Sequence, residues 1–292
     1  MTTLRQRMLE DMSIRNLSEN TKVSYLQQVC LYAKYFERSP TQLGPQEVRD
    51  YQLYLTLERK LSAGSIGIAI SALRFLYKIT LKQDWKSDDI PMPKKPFKLP
   101  VVLSTEEVTQ FLGSIENYKH RALLMTAYAT GMRVSELTHL RVSDIDSQRM
   151  AVRVDQGKGN KDRYVMLSDR LLAELRAYWK LERPLTWLFP GNIPGRPITK
   201  GAVELACRKA HRASGLTKAV TPHSLRHAFA THLLESGADV RRIQLLLGHR
   251  SLGTTSRYLK IATSTVCATV SPFDLLTKPE PVAPAAVSPA HF

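Results

Sequence analysis

Between Asp84 and Pro100 the chain carries Pro91, Pro93, Pro96 and Pro100, set around Lys94, Lys95 and Lys98. Each proline removes a backbone donor and disfavours helix in the residue before it, so no regular element runs through this stretch. It reads as an extended linker over 84–100. Its lysines fit two readings, a track along a phosphate backbone or a solvated spacer. The linker divides 292 residues into two segments, 1–83 and 101–276, each able to bury a core. The remaining 277–292, with Pro279, Pro281 and Pro284 among alanines, reads as a disordered tail.

The first segment is patterned for helices. Ser18 is a plausible N-cap, followed by Val23, Leu26, Cys30 and Ala33 at helical spacing. Pro45 can open a second helix bearing Val48, Leu53, Leu55 and Leu57. Ser65 can cap a third, with Ile66, Ile70, Leu73 and Tyr77 on one stripe. With one helix before Ser18 this predicts a four-helix bundle. The second segment opens on Ser104-Thr105-Glu106-Glu107, a capping-box pattern. A helix over 119–129 follows, then two short strands at 150–154 and 163–167 joined by the turn chemistry of Gly157-Lys158-Gly159-Asn160-Lys161. Further helices are predicted near 169–181, 200–213, 222–236, 240–247 and 252–262. The fold class is mostly α with a small β-hairpin, an α+β arrangement.

Charge bears on the partner. Lys and Arg number 42 against 26 Asp and Glu, a balance of +16. Both main segments share it, with 16 basic and 10 acidic residues up to Lys98 and 25 and 15 from Leu99 to Thr277. That excess points to a polyanion. An apolar share of 43% is too high for a disordered chain. The longest apolar runs, such as Leu245 to Leu247, are too short to span a bilayer. The first residues, Met1 to Arg5, lack the apolar core of a signal peptide. Three scattered cysteines suit a reducing cytosol rather than a disulfide framework or a zinc site.

Four features of the second segment carry chemistry. In Thr130-Gly131-Met132-Arg133-Val134-Ser135-Glu136-Leu137 a glycine precedes an arginine, which turns the chain sharply and projects a guanidinium. Lys158 sits on the hairpin tip; the stretch lacks P-loop spacing. In Thr221-Pro222-His223-Ser224-Leu225-Arg226-His227, Thr221 caps and Pro222 opens a helix, which puts His223 in the first turn and Arg226 one turn later on the same face. That helix end favours an anion. In Leu247-Gly248-His249-Arg250-Ser251, Gly248 ends one helix and Ser251 caps the next, near whose end falls Tyr258. Singly, these read as a surface ion pair, a mobile turn, a capped helix and a packing tyrosine. His223, His227 and His232 crowd one helix, but Arg226 lies among them and no carboxylate precedes Glu235, so no metal site is expected. Together they give two arginines, a lysine, two histidines and a tyrosine. Phosphodiester chemistry needs positive charge, an acid and a nucleophile, and this set supplies all three.

These motifs, in this order and at close spacing, resemble the tyrosine recombinase (phage integrase) family. The resemblance extends to about residue 276. It implies a SAM-like, helical core-binding domain over 1–83 and a catalytic domain over 101–276. It also implies roles. Tyr258 attacks the scissile phosphate to form a 3′-phosphotyrosyl bond, and Arg133 and Arg226 clamp the non-bridging oxygens. His249 adds a hydrogen bond, Lys158 protonates the leaving 5′ oxygen, and His223 assists proton transfer from Tyr258. Glu136 supports Arg133. No metal or other cofactor is implied, because the ester's energy stays in the covalent intermediate.

The implied partners are double-stranded DNA carrying a recombination site and a homotetramer spanning two duplexes, with room for an accessory or partner recombinase. No membrane is involved, and the expected location is the cytoplasm, on the nucleoid. Leu259-Lys260 after the tyrosine and the Pro/Ala tail depart from chromosome-dimer resolvases. They favour the integrase of a mobile element over a cellular chromosome- or plasmid-dimer resolvase. A silent DNA-binding protein has no use for the tyrosine. A type IB topoisomerase shares the chemistry but has no need of a separate core-binding bundle.

Overall fold

The computed structural model describes residues 3–85, 90–94, 102–157, 161–249 and 251–255. The chain separates into two compact units, Met1–Lys98 and Leu99–Phe292.

The first unit is helical. It comprises α1 (Thr3–Ile14), α2 (Glu19–Phe36), α3 (Pro45–Leu53) and α4 (Ala63–Phe75). The last two widen into π-type turns at Tyr54–Glu58 and Leu76–Thr80. Ser18 caps α2 by accepting from the Thr21 amide. The buried face of α2 is Leu26, Val29 and Tyr32, while Val23 and Cys30 are exposed. The predicted stripe was therefore rotated, because Tyr32 carries the larger apolar surface and takes the core. On α3 and its π turn, Val48 and Leu55 are buried but Leu53 and Leu57 are exposed, with Tyr51 in their place. The stripe Ile66, Ile70, Leu73 and Tyr77 is buried as expected. Its cap is Ser62, not Ser65; Ser65 supplies the amide that Ser62 accepts, which adds a turn at the front of α4.

The second unit holds α5 (Thr105–Gly113), α6 (Tyr118–Thr130), α7 (Val134–Thr138), β1 (Ile145–Asp146), β2 (Ala151–Gly157), β3 (Lys161–Met166), α8 (Asp169–Glu182), α9 (Lys200–Ser214), α10 (Pro222–Glu235), α11 (Val240–Leu247) and α12 (Leu252–Thr255). Ser104 and Glu107 form the expected capping box of α5. The sheet is antiparallel in the order β1-β2-β3, with Ile145 opposite Val152, Val152 opposite Val165 and Val154 opposite Arg163. β1 and α7 were not anticipated; at two and five residues they are too short to show a period. The core of this unit joins Phe111, Leu123, Leu124, Val152, Phe189, Val203, Leu225 and Ala228, with α6 and α10 packed side by side. His232 links them, bonded to the Tyr128 hydroxyl at 2.9 Å and to the Leu103 carbonyl at 2.8 Å. Among the described residues no helix is long and apolar enough to cross a membrane.

Candidate active site

The site forms where three chain reversals meet. The first is the end of α6. Gly131 closes that helix in the left-handed region at φ 60°. A Cβ there would lie 2.3 Å from Cδ1 of Phe229 on α10, so the backbone can pass this close only as glycine. Arg133 then caps α7, and Glu136 reaches back to accept from its backbone N–H at 2.9 Å and from Nη1 at 2.8 Å.

The second is the start of α10. The Thr221 hydroxyl accepts from the Ser224 amide and the Thr221 amide donates to the Ser224 hydroxyl, with Pro222 at the first helical position. His223 lies in that first turn and reaches the surface, its ring 4.2 Å from that of His227 and nearly edge-on. Partial burial first, then the charges of Arg226 and Arg133, lower its pKa. Arg226 is 2% exposed. Its Nη1 donates to the Gly131 carbonyl at 2.6 Å and its Nη2 to the Leu247 carbonyl at 2.7 Å.

The third is the end of α11. Gly248 closes it at φ 61°, and its carbonyl accepts from Arg133 Nη2 at 3.2 Å. His249 follows. Its Nε2 stands 3.1 Å from Arg226 Nη2, and its Nδ1 2.9 Å from the buried Thr255 hydroxyl. A guanidinium only donates, so Nε2 accepts, and Nδ1–H donates to Thr255. Burial, then Arg226, Arg133 and Arg163, bring the imidazole down to about 4. It is neutral at neutral pH.

The structure thus brings Arg133, Arg226 and His249 together around one turn, with His223 at its edge. Glu136 holds Arg133 and has a second partner besides. Arg163 on β3, not anticipated, binds it in a fork, Nη1 to Oε1 at 2.9 Å and Nη2 to Oε2 at 2.7 Å. The sequence hides Arg163, because Tyr164, Val165, Met166 and Leu167 are all apolar and show no alternation. Val165 and Leu167 are buried while Tyr164 and Met166 are exposed, so Arg163 falls on the inward face, where a charge needs a partner. Lys158 and Tyr258 lie outside the described residues.

Residues 101–264 match the phage integrase family, and residues 4–87 match its N-terminal SAM-like domain. The chain belongs to the phage integrase family. It is accordingly a tyrosine-type, site-specific DNA recombinase. This integrase-family chain is 60% identical over 293 residues to a putative integrase/recombinase of Sinorhizobium fredii, covering all of this chain and 95% of the relative. It is 33% identical to the tyrosine recombinase XerD of Staphylococcus haemolyticus, over 85% of this chain and 90% of that one. Among solved structures it is similar to the XerA recombinase, at 29% identity and TM-score 0.54, covering 92% of this chain and 99% of the other. A lambda integrase dimer bound to a core site shares the fold, with TM-score 0.73 at 20% identity, over 88% and 94% of the two chains.

Proposed function

We propose that this recombinase cuts and rejoins two DNA duplexes through a 3′-phosphotyrosyl intermediate as the integrase of a mobile element. The observation that carries the reading is the convergence of Arg133, Arg226 and His249 on the turn that ends α11, beside the N-terminus of α10. A guanidinium presents its donors in a fixed planar fork, the geometry that matches the oxygens of a phosphate. Pre-held donors aimed at the oxygens where charge grows are what lowers the barrier.

In this mechanism the Tyr258 oxygen attacks phosphorus and the bond to the 5′ oxygen breaks. The tyrosine proton passes to His223, whose pKa is lowered by burial and then by the neighbouring arginines. Lys158 gives a proton to the departing 5′ oxygen. A 5′-hydroxyl from the partner duplex then attacks the phosphotyrosine and reverses these transfers. When phosphate replaces His249 as an acceptor for Arg226, the imidazole can take its other tautomer, losing the Nδ1 proton and gaining one at Nε2, so that the Thr255 hydroxyl donates to Nδ1 and Nε2–H donates to the phosphate. The segment 1–83 serves as the core-binding domain and 101–276 as the catalytic domain, joined by 84–100, with 277–292 a tail. Strand exchange between two duplexes calls for four protomers, working on the nucleoid in the cytoplasm. The similarity at 60% to a putative integrase/recombinase supports the mobile-element role; XerD at 33% keeps dimer resolution as the second reading.

The test uses the duplex that the full chain enriches from a randomised pool, presented as a panel nicked at successive central positions. The wild-type chain should trap a covalent protein–DNA adduct on one member, and Tyr258→Phe on none. An adduct that survives in Tyr258→Phe refutes the nucleophile assignment.

A further inference from the structure

Arg163 has no part in the chemistry above, but its guanidinium touches the groups that hold Arg133 in place. Its Nη1 and Nη2 grip the two oxygens of Glu136, and Nε donates to the Leu246 carbonyl at 2.7 Å. The Arg163 side chain is 10% exposed and that of Glu136 4%. Glu136 in turn holds Arg133 by backbone and side chain. Leu246 lies just before the turn that presents Gly248 and His249. Gly248 packs flat against Arg163: a Cβ on it would stand 3.1 Å from Arg163 Nη1. Arg163 is also a strand residue, paired with Val154 in the β2–β3 hairpin.

We infer that Arg163 is a positioning residue that couples the β2–β3 hairpin to Arg133 and to the His249 turn. One planar group sets three elements at once: β3 by its own backbone, α7 through Glu136, and the end of α11 through Leu246. An ammonium could neutralise Glu136 but has no fork of donors with which to fix all three acceptors. The inference rests on the reading of Arg133 as a phosphate clamp. Its consequence is that loss of the fork misplaces that clamp while the duplex, held by the wider basic surface, still binds.

The full-length Arg163→Lys variant keeps the charge and tests this; Arg163→Met removes it. On the nicked duplex, Arg163→Lys should form adduct about 10- to 100-fold more slowly, with duplex retention within about twofold of wild type. On the same duplex with a neutral methylphosphonate at the scissile position, most of that deficit should vanish, because the charge that Arg133 neutralises is gone. A wild-type rate in Arg163→Lys overturns the inference. So does an equal deficit on both duplexes, or one that follows duplex retention; each assigns Arg163 to the fold alone. A second measurement needs no DNA. The ¹⁵Nε signal of Arg133, assigned by its loss in Arg133→Lys, should shift in Arg163→Lys, and an unmoved signal also overturns the coupling. If the wild-type chain forms no adduct at all, the proposed function fails, and the Arg133 signal still decides whether Arg163 couples to it.

Discussion

Glu136 stands between two guanidinium groups with almost no water, and its titration follows from that. Burial alone would raise its carboxyl; the Arg163 bond and charge, then Arg133, outweigh this and bring it from 4.5 to about 2. As pH falls the unfolded chain takes up this proton first. The stabilisation is complete above about pH 4.5 and lost on the way to about 2, a swing of about 3 kcal/mol. His249 behaves alike in a higher window. Its folded value of about 4 lies below the free 6.5, so its share is complete above 6.5 and lost by about 4. For a half-buried ring that share is at most about 3 kcal/mol. Acid unfolding of the full chain should show both windows. The stability advantage of wild type over His249→Phe should shrink from pH 7 to 4, and that over Glu136→Gln should shrink only below 4.5. Parallel curves in urea titrations across this range would refute the assignment. The sequence reveals Glu136 only by its nearness to Arg133. Its true partner is 27 residues away on a strand, a distance that side-chain spacing cannot bridge.

Elements were legible where a cap marks their start. Ser18, Ser104, Thr221 and Pro222 each open the helix that the sequence predicts. The faces were less so, because Tyr32 and Tyr51 compete with smaller apolar residues for the core and win on area. The junction between α6 and α7 is a case in which element geometry sets the site. Gly131 needs both a positive φ and an absent Cβ, since Phe229 fills the space. Its carbonyl is also the acceptor that anchors Arg226. Gly131→Ala should therefore destabilise the chain by about 2–5 kcal/mol, the sum of left-handed strain and overpacking. Adding Phe229→Leu should recover the packing share and leave about 1–2 kcal/mol of strain. A double-mutant cycle in urea reads this directly. Strictly additive losses would mean that the contact with Phe229 does not limit the junction.

At the scale of the whole chain the +16 balance divides unequally. Arg226 and Arg163 are nearly enclosed and donate to carbonyls and a carboxylate, so they add little to the outer field. The field that draws in a duplex comes from the other cations of both segments. Each phosphate that they neutralise releases counterions, so the logarithm of affinity falls with the logarithm of salt by about 0.9 per contact. With 6–10 contacts, binding of the full chain should weaken by about 10³- to 10⁵-fold between about 50 and 200 mM salt, on random-sequence duplex as well. Tyr258→Phe should leave this slope unchanged, because a nucleophile contributes no charge. The linker supplies the discriminating variant. If Lys94, Lys95 and Lys98 track the phosphate backbone, replacing all three with Gln should reduce the slope by about 2–3, without selectivity for sequence. If they only keep a proline-rich spacer solvated, the slope stays put. Filter binding at four or five salt concentrations separates the two, and an unchanged slope assigns the duplex to segments 1–83 and 101–276 alone.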